Sequence, residues 1–133
     1  MDCPPTYHQK NFRPPVIIAP PSARSRLLKI FDEANLRILR PGTSIRVGPL
    51  LVRATPGSLV GPPWQAPENG YVVQWEGPSV YYEPHNDVDA KSKLREEEAD
   101  IAIVPVKRQE LPFLTVVYGE ERALALTRHL KVT

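Results

Sequence analysis

The residue types best suited to chemistry gather in one short stretch. Glu83, His85, Asp87 and Asp89 place an imidazole and three carboxylates within seven residues. These are donors that a divalent cation accepts, but they come from a single loop, and tetrahedral zinc takes three or four protein ligands. His85 and Asp87 are the candidate metal ligands. Each residue of the stretch also has a plain structural role open to it. His85 can hydrogen-bond neighbouring carboxylates, Asp87 can make a turn, and Asp89 can N-cap a helix beginning at Ala90. Glu83 ends a strand and is expected to face solvent or a basic group. Upstream, Trp64, Asn69 and Glu83 are candidates for a substrate-facing loop edge. Trp64 in a proline-rich loop more simply pins that loop to a sheet, and Glu68-Asn69-Gly70 more simply makes a turn, because Asn and Gly accept positive φ. No residue is assigned a catalytic role. Ser58 lies in PGSLVG rather than in a G-x-S-x-G nucleophile elbow. Gly57 and Gly61 do not form a phosphate-binding loop. His8 and His129 are isolated, and the one cysteine, Cys3, allows neither an intramolecular disulfide nor a zinc knuckle.

These residues sit in a chain of 133, within the roughly 100–200 expected of one domain. Seventeen Lys+Arg against fifteen Asp+Glu leave a net charge of +2, without the basic stripe of a nucleic-acid binder. An apolar fraction of 41% excludes a disordered chain. No apolar run approaches the ~18 residues of a membrane span. The start MDCPPTYHQK lacks a secretory pattern, so a reducing compartment, cytoplasm or plastid, is expected. Proline is in excess, with 16 residues against a usual share of roughly 5%. The prolines fall mainly at turns and in the long loop 56–69, and so punctuate a fold.

The elements that position the candidates read in order. Residues 1–13 form an extended segment. Pro15–Ala19 is a buried strand. Ser22 N-caps an amphipathic helix carrying Ala23, Leu27, Leu28, Ile30, Phe31 and Ala34, which ends near Asn35. A brief strand covers Leu36–Arg40. Ser44–Val47 and Leu50–Thr55 make a hairpin, and Gly70–Trp75 and Ser79–Tyr82 make a second. Tyr81 and Tyr82 alternate faces, one in the core and one out. A short helix is expected over Ala90–Glu98. Ile101–Val104 reads as a strand buried on both faces. Gly119 opens a last helix with Ala123, Leu126, Thr127 and Leu130 on one face and Glu120 and Glu121 suiting the dipole at its start. The class is α/β, or α+β, with mixed sheets.

The strings GPPW, ENGY and YYEPH, followed by EEEADIAIVPV and GEERALALTRHLK, resemble the metallo-β-lactamase superfamily, and in particular its plant and algal members. The resemblance covers nearly the whole chain, from about Pro15 to Lys131. It implies a partial αββα sandwich and metal-assisted hydrolysis, in which one or two zinc ions generate hydroxide and polarise the scissile group. The ligands implied by the family transfer poorly. The HxHxDH motif is absent from the sequence, Leu59 or a neighbour stands where a His is usual, and Pro84-His85-Asn86 replaces the bridging Asp. The last His of the family would lie past Thr133. The expectation is a single, incomplete domain over 1–133 with a degenerate site, inactive as this chain alone, for which zinc is a doubtful cofactor. The alternatives are a hydrolase with an atypical site around His85, or a non-catalytic binding module. Missing sheet partners would leave an exposed edge and an apolar face, so self-association is expected. No nucleic-acid or membrane partner is indicated, and the substrate is unspecified.

Overall fold

The apolar-rich runs that flank Gly48-Pro49 and Glu76-Gly77-Pro78 fold as two consecutive hairpins, and these build the main sheet. The structure is a computed structural model describing residues 15–58, 63–64, 66–85, 97–117 and 119–132. Strands β1 (Ile17–Ala19) and β2 (Leu36–Ile38) pair in parallel as a small sheet. The short helix α1 (Arg24–Leu27) lies between them. Next come β3 (Ser44–Val47), β4 (Leu50–Pro56), β5 (Asn69–Gln74) and β6 (Val80–Tyr82), antiparallel to one another in turn. After β7 (Glu98–Ala99), strand β8 (Ile101–Ile103) joins β6 in parallel, giving the five-stranded order β3-β4-β5-β6-β8. Strands β9 (Gln109–Leu111) and β10 (Leu114–Val117) form a separate antiparallel hairpin. Helix α2 (Glu120–His129) leads to β11 (Lys131–Val132), which pairs in parallel with β7. Among the described residues this is a mixed α+β architecture with two helices, and none of its helices is long and apolar enough to cross a membrane.

Strand pairing fixes which side chains meet. Val72, Tyr81 and Ala102 are opposite one another across β5, β6 and β8, so they share one face of the sheet. That face receives α2 through Leu126 and Leu130, with Ala99 completing the cluster. Ala123, Leu126 and Leu130 are buried at helical spacing, so the expected face of the last helix is the one that packs. Gly119 is its N-cap, as expected. Both hairpins fall where the turn signals put them, and Tyr81 is in the core while Tyr82 is exposed.

Three elements differ from expectation. The helix predicted through Ala34 has only the four residues of α1, preceded by a 3₁₀ turn at Pro21–Ala23. The N-cap is Pro20, and Ser22 lies inside that turn rather than capping it. The amide of Lys29 reaches back three residues to Arg26, and that of Ile30 reaches back to Leu27, so the helix winds tight and stops. Ile30 is 73% exposed, and an apolar stripe with nothing to pack against cannot hold a short helix together. Ile101–Ile103 is a strand, but not a doubly buried one: it is the sheet edge, and Ile101 and Ile103 are exposed. The helix expected to end at Glu98 instead meets strand β7 there, and residues 90–96 lie outside the described residues. So does the segment 1–13.

Candidate functional site

The ends of β4, β5 and β6 converge at one edge of the main sheet, and there the loop that leaves β4 closes on itself. The amide of Glu68 donates to the carbonyl of Ser58 at 2.8 Å, so the loop after Pro56 returns through a narrow neck. Gly57 permits that approach: a Cβ at position 57 would collide with the Glu68 carbonyl oxygen and lie 2.6 Å from the Asn69 carbonyl carbon. A second close approach sits beside it. A Cβ at Gly70 would stand 2.6 Å from Thr55 Oγ1 and 3.2 Å from the Tyr81 hydroxyl.

Glu83 is the organising side chain of this edge. It is 0% exposed, and its carboxylate receives donors from two segments. Ser58 Oγ donates to Oε1 at 2.8 Å and the Ser58 amide donates to the same oxygen at 3.3 Å, while the His85 amide donates to Oε2 at 2.9 Å. The carboxylate thus joins the neck of the 56–69 loop to the turn after β6. The expectation that Glu83 faces solvent is overturned. Continued alternation along β6, with Tyr81 in and Tyr82 out, puts residue 83 on the buried side, and a buried carboxylate must then find donors.

His85, half-buried, lies on the outer side of the bracket with Nδ1 3.2 Å from Glu68 Oε2. That is ion-pair distance, but without hydrogen-bond alignment. Among the described residues, His85 Nδ1 and Asn69 Oδ1 are buried polar atoms lacking a hydrogen-bond partner, and the buried Thr55 and Tyr81 hydroxyls have only each other nearby, outside good hydrogen-bond geometry. All four lie on or beside the strand ends that form this edge. Asn69 is buried at the start of β5, where Nδ2 donates to the Leu39 carbonyl at 2.8 Å and to the Tyr71 hydroxyl at 3.2 Å. Its backbone is not in the positive-φ region, so the turn expected at Glu68-Asn69-Gly70 is instead the start of a strand. Asn69 ties β5 to the segment after β2. Trp64 is 86% exposed, so it does not pin the loop. Asp87, Asp89 and Leu59 lie outside the described residues.

The two tyrosines behind the edge are held neutral. Burial, reinforced by the Glu83 charge and partly offset by the Thr55 hydroxyl, pushes the Tyr81 phenol far above its usual range. Burial also raises Tyr71, with the Asn69 hydrogen bond working against it and the Glu68 charge adding to it. The folded state therefore keeps protons that the unfolded chain releases as pH rises past the ordinary phenol value of 10.0. Stability is expected to be unaffected by these groups below that value and to fall above it. The slope from Tyr81 approaches about 1.4 kcal/mol per pH unit, and Tyr71 adds to it in the same direction. Urea unfolding measured between neutral and strongly alkaline pH checks this, and Tyr81→Phe should flatten the alkaline limb. An unchanged limb in that variant would count against the assignment.

Among the described residues the donors near His85 fall short of a zinc centre. His85 and Glu68 offer one imidazole and one carboxylate, and both oxygens of Glu83 are engaged by protein donors. Among the described residues, no three His, Cys, Asp or Glu side chains come together in a way that could hold a metal. These residues do not fit the zinc site that the sequence resemblance implied.

Comparison with known proteins supplies the lineage. A family profile described as the β-lactamase superfamily domain matches residues 7–133. The chain belongs to the β-lactamase superfamily. No curated protein matches it significantly. In this superfamily member, then, the strand-end edge is built by Ser58, Glu68, Glu83 and His85. Sequence reasoning had picked out two of these four for the site, Glu83 and His85, and had set Ser58 aside because it lacks a nucleophile elbow. What it missed is that Ser58 and Glu83 are partners across 25 residues.

Proposed function

We propose that this chain is a metallo-hydrolase-type domain of the β-lactamase superfamily that keeps the hydrolase scaffold and is catalytically silent on its own residues. The observation that carries this reading is the occupancy of Glu83. The acid at the end of β6 spends both oxygens on Ser58 and His85, so it works as a bracket and not as an open ligand. The resemblance of the GPPW, ENGY and YYEPH strings to plant and algal proteins, together with a lone cysteine, favours a reducing compartment, cytoplasm or plastid.

A second reading has one specific observation in its favour. The imidazole of His85 presents a buried Nδ1 with no hydrogen-bond partner, 3.2 Å from the Glu68 carboxylate. That pair is the start of an atypical metal site, to which Asp87 could add a donor. The two readings separate on metal content and turnover. Purified chain is loaded with zinc, dialysed against metal-free buffer, and analysed by mass spectrometry. It is also assayed against β-lactam, thioester, lactone and phosphodiester substrates. The first reading expects far less than one zinc per chain and no hydrolysis above background. One zinc per chain that is lost in His85→Ala, with hydrolysis lost alongside, overturns it in favour of the second.

A further inference from the structure

The hairpin β9–β10 carries a feature that folding of the single chain does not explain. Leu111 pairs with Leu114, leaving Pro112-Phe113 as a two-residue turn. The proline ring fixes a negative φ at the first turn position, which suits a type I or a type II turn; only type II needs a positive φ at the second position, where glycine is the favoured residue. Phe113 occupies it at φ 69, making it the one described non-glycine residue with positive φ. Its side chain is fully exposed, and Leu111 beside it is exposed as well. A large aromatic in a strained position, returning no burial, points to a contact made outside the chain.

At the base of the same hairpin the chain leaves an apolar groove unfilled. The groove, of about 460 Å³, runs between the segment 104–106 and α2, lined by Val104, Val106, Ala123 and Leu124, with Glu120 on its rim. Val106 and Leu124 are exposed. Lys107 stands next to this rim, lining with Glu120 the neighbouring cleft at the start of α2. A convex apolar tip and a concave apolar groove thus occur on one connected stretch, and the cleft beside the groove carries both signs of charge, Lys107, Arg108 and Arg122 with Glu120 and Glu121. A two-fold axis satisfies both at once: each tip enters the other copy's groove, and each Lys107 faces the other copy's Glu120. Three strand residues give the hairpin a reach of about 10 Å beyond its base, enough to cross such an axis.

We infer that the occupant of this groove is a second copy of the chain, in an isologous dimer built on reciprocal insertion of Phe113. The contact is distinct from pairing at the β8 edge.

Sedimentation velocity of the full chain across a range of concentrations tests this. The wild type is expected to dimerise. Phe113→Gly should weaken dimerisation about 30-fold or more, as loss of a central aromatic anchor does. Glycine suits the positive φ, so that variant should melt as a folded monomer no less stable than the wild-type monomer. Leu124→Glu, on the groove wall, should dissociate the dimer independently. A wild type that stays monomeric throughout overturns the inference. So does a dimer that survives both variants and dissociates only with Ile103→Glu, which would move the contact to the sheet edge. Binding of a monomeric wild type to anionic lipid vesicles, abolished in Phe113→Gly, overturns it in favour of a membrane surface.

Discussion

Glu83→Ala is expected to cost about 3 kcal/mol of folding free energy, because three donors lose a charged acceptor in a site closed to water. For a domain of this length that is on the order of 10 °C in Tm. Glu83→Gln should cost less, about 2 kcal/mol, since one amide oxygen can still receive Ser58 while the amide nitrogen is turned against the His85 N–H. Ser58→Ala removes a single hydroxyl donor and should cost about 1 kcal/mol. The double variant Ser58→Ala/Glu83→Ala should cost less than the sum of the two, with a coupling of about 1 kcal/mol, because both changes remove the same bond. Urea titration of the four variants beside the wild type measures all of this. The sign of the Glu83 effect also bears on function. A carboxylate held in place for catalysis is commonly a stability liability whose removal is neutral or stabilising. A Glu83→Ala protein as stable as wild type would therefore remove the bracket and, with it, the main support for a silent site.

How much of this was open to sequence reading depends on whether the signal was local. The hairpins at 44–56 and 69–82 are written as apolar, β-branched and aromatic runs broken by Gly48-Pro49 and Glu76-Gly77-Pro78, and they form where those turn signals put them. The last helix carries its own N-terminal glutamates and a spaced apolar face, and it too forms as read. The region after Ser22 has an equally good apolar stripe, but a stripe predicts a helix only if a surface exists to receive it. Ile30 and Phe31 are exposed, so the stripe stabilises nothing. Ile101-Ala102-Ile103 shows the converse. Its composition suits an interior strand, but strand order places it at an edge, and order is a property of the whole sheet. The site divides along the same line. Parity along β6 puts residues 81 and 83 on one face, but it leaves open which of Tyr81 and Tyr82 is the buried one, so the burial of Glu83 is not fixed by it. Its partner Ser58 could not be found that way, since nothing local to position 58 reports that the loop neck returns to the end of β6. Asn69 was misread for a related reason: Asn-Gly is a turn signal in isolation, but here Asn69 Nδ2 is held by the Leu39 carbonyl 30 residues away, and the pair is drawn into a strand.

The neck itself yields the second large effect. Gly57→Ala should destabilise the protein by about 2–3 kcal/mol, the range of a forced overpacking in a site that cannot yield. The obstacle is main chain: the added carbon would meet the carbonyl of Glu68 and the start of Asn69, and neither can rotate away as a side chain would. Relief requires the neck to open, which lengthens the Glu68 amide to Ser58 carbonyl bond and carries Ser58 off the Glu83 carboxylate. Combining Gly57→Ala with Glu83→Ala should therefore cost clearly less than the sum of the two. Gly42→Ala is the matched comparison. Gly42 has positive φ of 89 but nothing within 4 Å of its would-be Cβ, so alanine there meets backbone strain alone, about 1 kcal/mol. If the two glycine variants prove equally costly, and Gly57→Ala adds fully to Glu83→Ala, steric closure of the neck is not what seats Ser58. If Gly57→Ala costs more and is non-additive, one steric contact and one carboxylate hold the loop and the turn together as a unit. The position of His85 beside Glu68 is then a consequence of how that unit closes.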